Sequence, residues 1–256
     1  MNYTTEITSD KIPSDNPIHQ RLLKAYIIAR DLINGDLLEI GCGEGRGISL
    51  LSSCCRRYVA LDKITETIEH LSCIYKNVEF INATIPPMDE IADNSFDTVV
   101  SFQVIEHIKD DRRFLEEIHR VLKPGGKAMI TTPNIEKTLS RNPWHIREYT
   151  AQGLEDLASG IFSDVIMKGI AGDQKVMKYY EMNKRSVEKI TRFDIFNLQY
   201  LLPASVLKIP YELLNRFNRN RLKNSNNRLV TDISHENYLF EDNNPENLDL
   251  FCIMQK

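Results

Sequence analysis

The apolar positions of this chain change their period near residue 35. From 17 to 33, Ile18, Leu22, Leu23, Tyr26, Ile27 and Ala29 recur at helical spacing, and Asn34-Gly35 ends the run. Short, nearly unbroken apolar runs then alternate with amphipathic stretches. Residues 37–40 predict a first strand, 47–53 a helix, 58–62 a second strand, 65–74 a helix, 78–81 a third strand and 97–101 a fourth. Residues 110–121 predict an amphipathic helix, Lys123-Pro124-Gly125-Gly126 turns the chain, and 127–132 predict a fifth strand. Strands apolar on both faces, alternating with helices, imply a doubly wound, mostly parallel sheet with right-handed crossovers.

Past residue 140 the pattern loosens. A helix over 154–159, a sixth strand over 164–170, a charged helix over 173–190 and a closing apolar strand over 248–254 remain legible. The stretch 198–229 is rich in Leu, Asn and basic side chains, and no repeat or low-complexity tract is present. The expected fold class is α/β: a seven-stranded, mostly parallel sheet with helices on both faces and a helical lid inserted before the last strand. Residues 1–16 read as a flexible arm and 17–256 as a single domain.

Composition narrows the function classes. The 256 residues are 42% hydrophobic and 27% charged, as in an ordinary globular domain, and a net charge of −4 gives no electrostatic reason to expect a nucleic-acid partner. The cysteines (Cys42, Cys54, Cys55, Cys73, Cys252) contain no C-x-x-C pair, which argues against zinc or disulfide frameworks and for a reducing compartment. The opening Met1-Asn2-Tyr3-Thr4-Thr5-Glu6 is polar, and no stretch approaches the ~20 apolar residues of a membrane span, so a soluble, cytoplasmic protein is expected.

The chemistry begins in Leu37-Leu38-Glu39-Ile40-Gly41-Cys42-Gly43-Glu44-Gly45-Arg46-Gly47. A strand ends in an acid, and glycines at alternate positions then bring the backbone close to something a side chain would exclude. The helix expected next points its unpaired N–H groups at the same spot. A tight turn with no ligand is the plain alternative. A dinucleotide fingerprint, G-x-G-x-x-G, needs its third glycine at position 46, which is Arg46. The chain has G-x-G-x-G behind Glu39, an acid that repels a pyrophosphate and suits a cationic amino-acid tail.

That run resembles the first motif of class I S-adenosylmethionine-dependent methyltransferases. Asp93-Asn94-Ser95-Phe96-Asp97, Val99 through His107 and Val121-Leu122-Lys123-Pro124-Gly125-Gly126 are similar to the same family, and the resemblance spans about residues 17–134 with the closing strand. It implies a Rossmann-like fold and S-adenosylmethionine as cofactor, with S-adenosylhomocysteine as product. Implied cofactor contacts are Glu39, Gly41, Cys42, Gly43, Asp62, Lys63, Asn82, Ala83 and Gln103. Asp62 ends the second strand, where the family holds the ribose hydroxyls, and a carboxylate can accept both; a solvated strand-end Asp is the bland account. Asn82 stands where the family usually has Asp, and its amide can still accept from the adenine amino group. Ile64 reads equally as an adenine contact or as a core residue. Ubiquinone-type O-methyltransferases carry Glu-x-x-Glu-His with a divalent metal; here Gln103-Val104-Ile105-Glu106-His107 lacks the first carboxylate, so no metal is expected.

A subgroup resemblance follows. Pro133-Asn134 with Asn142-Pro143-Trp144-His145-Ile146-Arg147-Glu148-Tyr149-Thr150, and the early Ile18-His19-Gln20-Arg21-Leu22, are similar to bacterial methyltransferases encoded with polysaccharide and glycolipid biosynthesis. The acceptor site is expected within 140–240. Methyl transfer is an in-line displacement, for which a protein supplies positioning and a dry pocket. Charge on sulfur fades in that step, so Glu39 and Asp62 should hold the far ends of the cofactor. A hydroxyl acceptor needs a base, and His145 and His107 are the candidates. His145 alternatively pins its own loop, and His107 alternatively caps a helix. Arg147 and Glu148 read as an ion pair or as contacts to an acidic acceptor, and Trp144 as a sugar platform or a lid plug. The basic run from Leu213 to Lys223 reads as a solvated face, or as a lid with Tyr200-Leu201-Leu202 and Val206-Leu207 that meets a lipid-linked or phosphorylated acceptor. The latter gives a peripheral membrane contact over 198–229. The expected function is O-methylation of a sugar, glycolipid precursor or small metabolite. A nitrogen or carbon acceptor, or a binding module without transfer, are the alternatives.

Overall fold

The computed structural model describes residues 11–194 and 197–256. One eight-stranded sheet runs through it: β1 Asp36–Ile40, β2 Arg57–Asp62, β3 Glu79–Asn82, β4 Phe96–Phe102, β5 Leu122–Pro133, β6 Asp164–Gly172, β7 Tyr238–Asp242 and β8 Asp249–Gln255. Their order is β3-β2-β1-β4-β5-β8-β6-β7. The first five pair in parallel, β8 runs antiparallel to both β5 and β6, and β7 closes the edge antiparallel to β6. The order reverses between β1 and β4, which puts a ligand crevice beyond the carboxyl ends of those strands.

The strand the sequence pattern does not predict is β7. As an edge strand it leaves Leu239 and Phe240 to solvent, so Tyr-Leu-Phe-Glu-Asp lacks the alternation that marks a half-buried strand. Within β5 the register jumps from Phe96↔Leu122 to Thr98↔Lys127, and the expected lysine-proline-glycine-glycine turn is the bulge between them. Lys123 reaches from it to Asp97 at 2.7 Å and Asp36 at 3.1 Å.

Both faces of the sheet are covered, which accounts for its unbroken apolar strands. Leu37, Tyr58, Val100 and Met129 face one layer; Leu38, Val59, Val99 and Ile130 face the other. The first layer takes α1 (Asn16–Arg30), α2 (Ile48–Leu51), α3 (Thr65–Ile74) and α6 (Gln174–Thr191), through Tyr26, Ile48, Leu71 and Val176. The second takes α4 (Asp111–Val121) and α5 (Ala151–Ser159). The apolar stripe of α4, Phe114, Leu115, Ile118 and Val121, is fully buried, each side chain contributing roughly 1.5–3 kcal/mol. Asp110 caps its start by accepting from the Arg113 amide at 3.1 Å.

Between α6 and β7 come α7 (Leu198–Leu201), α8 (Ala204–Ser225) and α9 (Asn227–Thr231). The expected arm over 1–16 ends earlier than its pattern implies. Pro13–Asp15 form a 3₁₀ turn against α8, where buried Asp15 accepts from Arg216 at 2.8 Å and Arg219 at 3.1 Å. Residues 1–10 lie outside the described residues. All five cysteines are unpaired.

Candidate active site

The crevice at the carboxyl ends of β1, β2 and β4 is a cleft of about 280 Å³. Gly41, Cys42, Gly43, Asp62, Lys63, Ala83 and Gln103 line it, as does Ile64. Gly43 carries the ligand argument. It sits at φ +50°, and a Cβ built on it meets nothing within 4 Å, so the position is kept bare without any packing requirement. Gly41 differs, because its Cβ would strike Val104 at 2.4 Å. Asp62 is buried and held by backbone: its Oδ2 accepts from the Gly43 amide at 2.8 Å and its Oδ1 from the Ile64 amide at 3.0 Å. Each oxygen keeps further acceptor capacity, which suits a vicinal diol.

Two expected cofactor residues sit elsewhere. Glu39 does not line the cleft. It is buried beneath it, with Oε1 accepting from Tyr26 at 2.7 Å and Oε2 from Tyr58 at 2.5 Å. Burial pushes its carboxyl up and both phenols up. A carboxyl buried on a strand interior needs such donors, and Tyr26, not Glu39, lines the cleft. Asn82 donates to the Asp62 carbonyl at 3.0 Å and accepts from Thr65 at 2.9 Å, clamping β2 to α3 beside the cleft instead of lining it. The expected helix over 47–53 is the single turn α2, too short to aim a helix dipole. Arg46, Thr84, Phe102 and Val104 also line the wall, and none of them is among the cofactor contacts the resemblance implies.

A second, polar pocket of about 270 Å³ adjoins the cleft, and Gln103, His107 and Leu22 line both. Gln103 follows β4 at φ +60°, a conformation that costs a non-glycine residue about 1–2 kcal/mol. Its amide donates to Thr131 O at 2.9 Å, which aims the side chain at the boundary between the two cavities. His107 and His145 come together edge to face, with ring centroids 5.1 Å apart. His107 Nδ1 lies 2.9 Å from the Trp144 carbonyl, which can only accept, so Nδ1 carries the hydrogen and Nε2 is the basic nitrogen. His145 is committed on both sides, Nδ1 to Glu148 at 2.7 Å and Nε2 to the Asn142 amide at 2.7 Å. Glu148 also accepts from Thr138 at 2.5 Å. Arg147 pairs with Asp111, so the expected Arg147–Glu148 pair does not form.

Glu106 lies fully buried below the histidines, accepting from Thr132 at 3.1 Å, and burial pushes its carboxyl up to about 7. Glu106, His107 and His145 each bring one donor atom within 4.8 Å of the others, the set a divalent cation would use. The rest of the pocket comes from distant segments: Asn134, Tyr180, Tyr211 and Arg219. Trp144 faces away. Its indole donates to Glu212 at 3.1 Å and Lys208 covers its ring at 3.7 Å, fastening the 140–150 loop to α8.

Residues 38–130 match the family model described as a methyltransferase domain. A probable S-adenosylmethionine-dependent methyltransferase of Mycolicibacterium smegmatis is 40% identical over 127 residues, covering 48% of this chain and 49% of the relative. One from Mycobacterium tuberculosis is 40% identical over 141 residues, covering 53% and 51%. The chain thus spans about half the length of the curated relatives it matches. Among solved structures, a possible histamine N-methyltransferase of Thermotoga maritima superposes with a TM-score of 0.58 at 14% identity, covering 94% of this chain and 91% of that one. An S-adenosylmethionine-dependent methyltransferase of Archaeoglobus fulgidus gives 0.54 at 15% identity, with 93% of each covered. These two likenesses carry the fold alone. Residues 38–130 thus match a methyltransferase domain, the relatives over that stretch are named as probable S-adenosylmethionine-dependent methyltransferases, and the two solved structures share the fold.

Proposed function

We propose that this chain moves a methyl group from S-adenosylmethionine to a hydroxyl oxygen of a saccharide or similar small acceptor. The cofactor occupies the glycine cleft, and the acceptor occupies the polar pocket walled by the 140–240 region. The observation that carries this reading is the shared boundary: Gln103 and His107 line both cavities. When bound, S-adenosylmethionine supplies an electrophilic methyl group on a sulfonium. Asp62 and the Gly43 backbone hold the ribose end of that group, far from the sulfur, while Tyr26, Phe102 and Val104 exclude water. His107 Nε2 accepts the proton of the acceptor hydroxyl at the boundary, with Nδ1–H anchored on Trp144. His145, pinned by Glu148 and Asn142, packs against His107 and holds its ring, so the two candidate bases take different roles.

Peripheral membrane contact through 198–229 belongs to the same reading. Val206, Ile209, Leu213 and Phe217 form an outward apolar stripe along α8, each more than half exposed, and helical spacing puts exposed Arg221 on its border. Among the described residues no helix is long and apolar enough to cross a membrane.

Calorimetry with S-adenosylmethionine and S-adenosylhomocysteine tests the cofactor half. Micromolar binding is expected, and Asp62→Ala should cost roughly 1–3 kcal/mol. Failure to bind either compound removes the reading. Binding without S-adenosylhomocysteine release across hydroxyl acceptors removes the oxygen-transfer half and leaves a nitrogen or carbon acceptor, or a binding module.

A further inference from the structure

Beside the polar pocket lies an apolar cavity of about 430 Å³. Val187 and Ile190 of α6, Leu202, and Leu207, Pro210 and Leu214 of α8 form its walls. Ser140, Val187, Tyr211, Asn215 and Asn218 border both cavities, so the two adjoin along α6 and α8. The turn over the apolar cavity is fixed: Arg141 donates to Gln199 O at 2.7 Å and Leu202 O at 3.1 Å. The rim is apolar as well, with Phe193, Leu198 and Leu214 exposed around it. Protein interiors are close-packed, and a hollow of this size with an apolar rim is a place for a ligand. Of its polar lining, Ser140, Asn215 and Asn218 lie on the edge it shares with the polar pocket and Thr191 at the end of α6. Hydroxyls set against Ile190, Leu202 and Leu207 would give up water bonds that this apolar wall does not replace.

We infer that the acceptor is an amphiphile, whose hydroxylated end lies in the polar pocket against His107 and whose hydrocarbon chain fills the adjoining apolar cavity. This rests on the proposed function, which takes the polar pocket as the acceptor site. The chain then supplies most of the affinity, at a factor of about 4 per buried methylene, and the polar end sets which hydroxyl meets the methyl group. The cavity, not the outward stripe of α8, is the chain's seat. Membrane contact and tail binding are therefore separable.

The test is a series of n-alkyl β-D-glucosides (butyl, hexyl, octyl), kept below their micelle concentrations. They are titrated calorimetrically into the full chain with and without S-adenosylhomocysteine. Affinity is expected to rise about fourfold per methylene. Leu202→Trp and Leu207→Trp, each filling the cavity, should flatten the series while leaving S-adenosylhomocysteine affinity unchanged; Ile209→Ser with Leu213→Ser should leave the series intact. No binding at any length, affinity independent of length, a gradient that survives both tryptophan variants, or one that follows the stripe variant overturns the inference. Because the series needs no methyl transfer, it is read independently of S-adenosylhomocysteine binding, whose failure would count against the cofactor assignment alone.

Discussion

In the glycine cleft, Asp62 is aimed by two main-chain amides and the key position, Gly43, has no side chain at all. In the adjoining pocket a chain of side chains is held by other side chains: His145 by Glu148 and Asn142, Glu148 by Thr138, Glu106 by Thr132. The first arrangement is rigid because strands and a tight loop fix it. The second depends on a network whose members come from α1, the loops after β4 and β5, α6 and α8. A fold that keeps the cleft constant can therefore change its acceptor by changing the network, and the two cavities should respond differently to substitution.

The largest separation is expected between the histidines. His107→Gln should lower kcat by roughly 10²–10⁴-fold with S-adenosylhomocysteine affinity unchanged. His145→Gln should lower it less and should also lower the melting temperature, since it strands Glu148 and Asn142. Equal losses of kcat in the two variants would break the assignment of His107 as base.

The glycines sharpen the comparison from the other side. Gly43→Val meets open space, so it should cost stability only about 1–2 kcal/mol for its φ, yet weaken S-adenosylhomocysteine binding by on the order of 100-fold. Gly47→Val puts a Cβ 2.0 Å from the Tyr26 ring and should cost mainly stability. Denaturation midpoints and calorimetry separate the two. Intact affinity in Gly43→Val would mean that the cleft holds no close ligand.

Glu106 gives the network a pH signature. Its folded carboxyl titrates at about 7, above its unfolded value, so the folded state holds the proton longer. Stability is therefore highest below the unfolded value and falls as pH rises through the window from about 4.5 to 7, by at most about 3 kcal/mol. Glu106→Gln should flatten that part of the stability curve in urea unfolding at pH 5 and pH 7. An unchanged slope would show that the carboxyl is not the source.

The smallest effect on stability belongs to the stripe. Ile209→Ser with Leu213→Ser should leave unfolding within about 0.5 kcal/mol of the parent. The pair should abolish sedimentation with vesicles of phosphatidylglycerol and phosphatidylcholine. Parent protein that fails to sediment, or a variant that still does, removes the membrane contact.

What the sequence reveals follows the same divide. The glycine loop, Asp62 and the strand alternation are legible because backbone needs, a bare Cα or a strand end, are written as residue types at fixed local spacing. Glu39 misleads for the same reason: its type and spacing are right, but only the fold shows Tyr26 and Tyr58 closing over it. Tyr211, Asn134 and Arg219 reach the pocket from segments far apart in the chain, and no local pattern couples them. The outward stripe of α8 is not among the features read from the sequence, which marks the basic run from Leu213 to Lys223 instead; only the packed helix shows which side faces out. The edge strand β7 is invisible because half of it is wet.

Asp15 joins Arg216 and Arg219 across separations of 201 and 204 residues. During synthesis the cleft is complete in sequence once Ile108 has emerged, since its walls run only from Leu22 to that point. The pair at Asp15 cannot close until α8 is made, and the polar pocket draws on Leu248 near the far end of the chain. Long-range closures of this kind form late. The nascent chain therefore carries every residue that lines the glycine cleft well before it carries every residue that lines the polar pocket. The contact that ties the two ends of the chain together is thus one that only the finished chain can make.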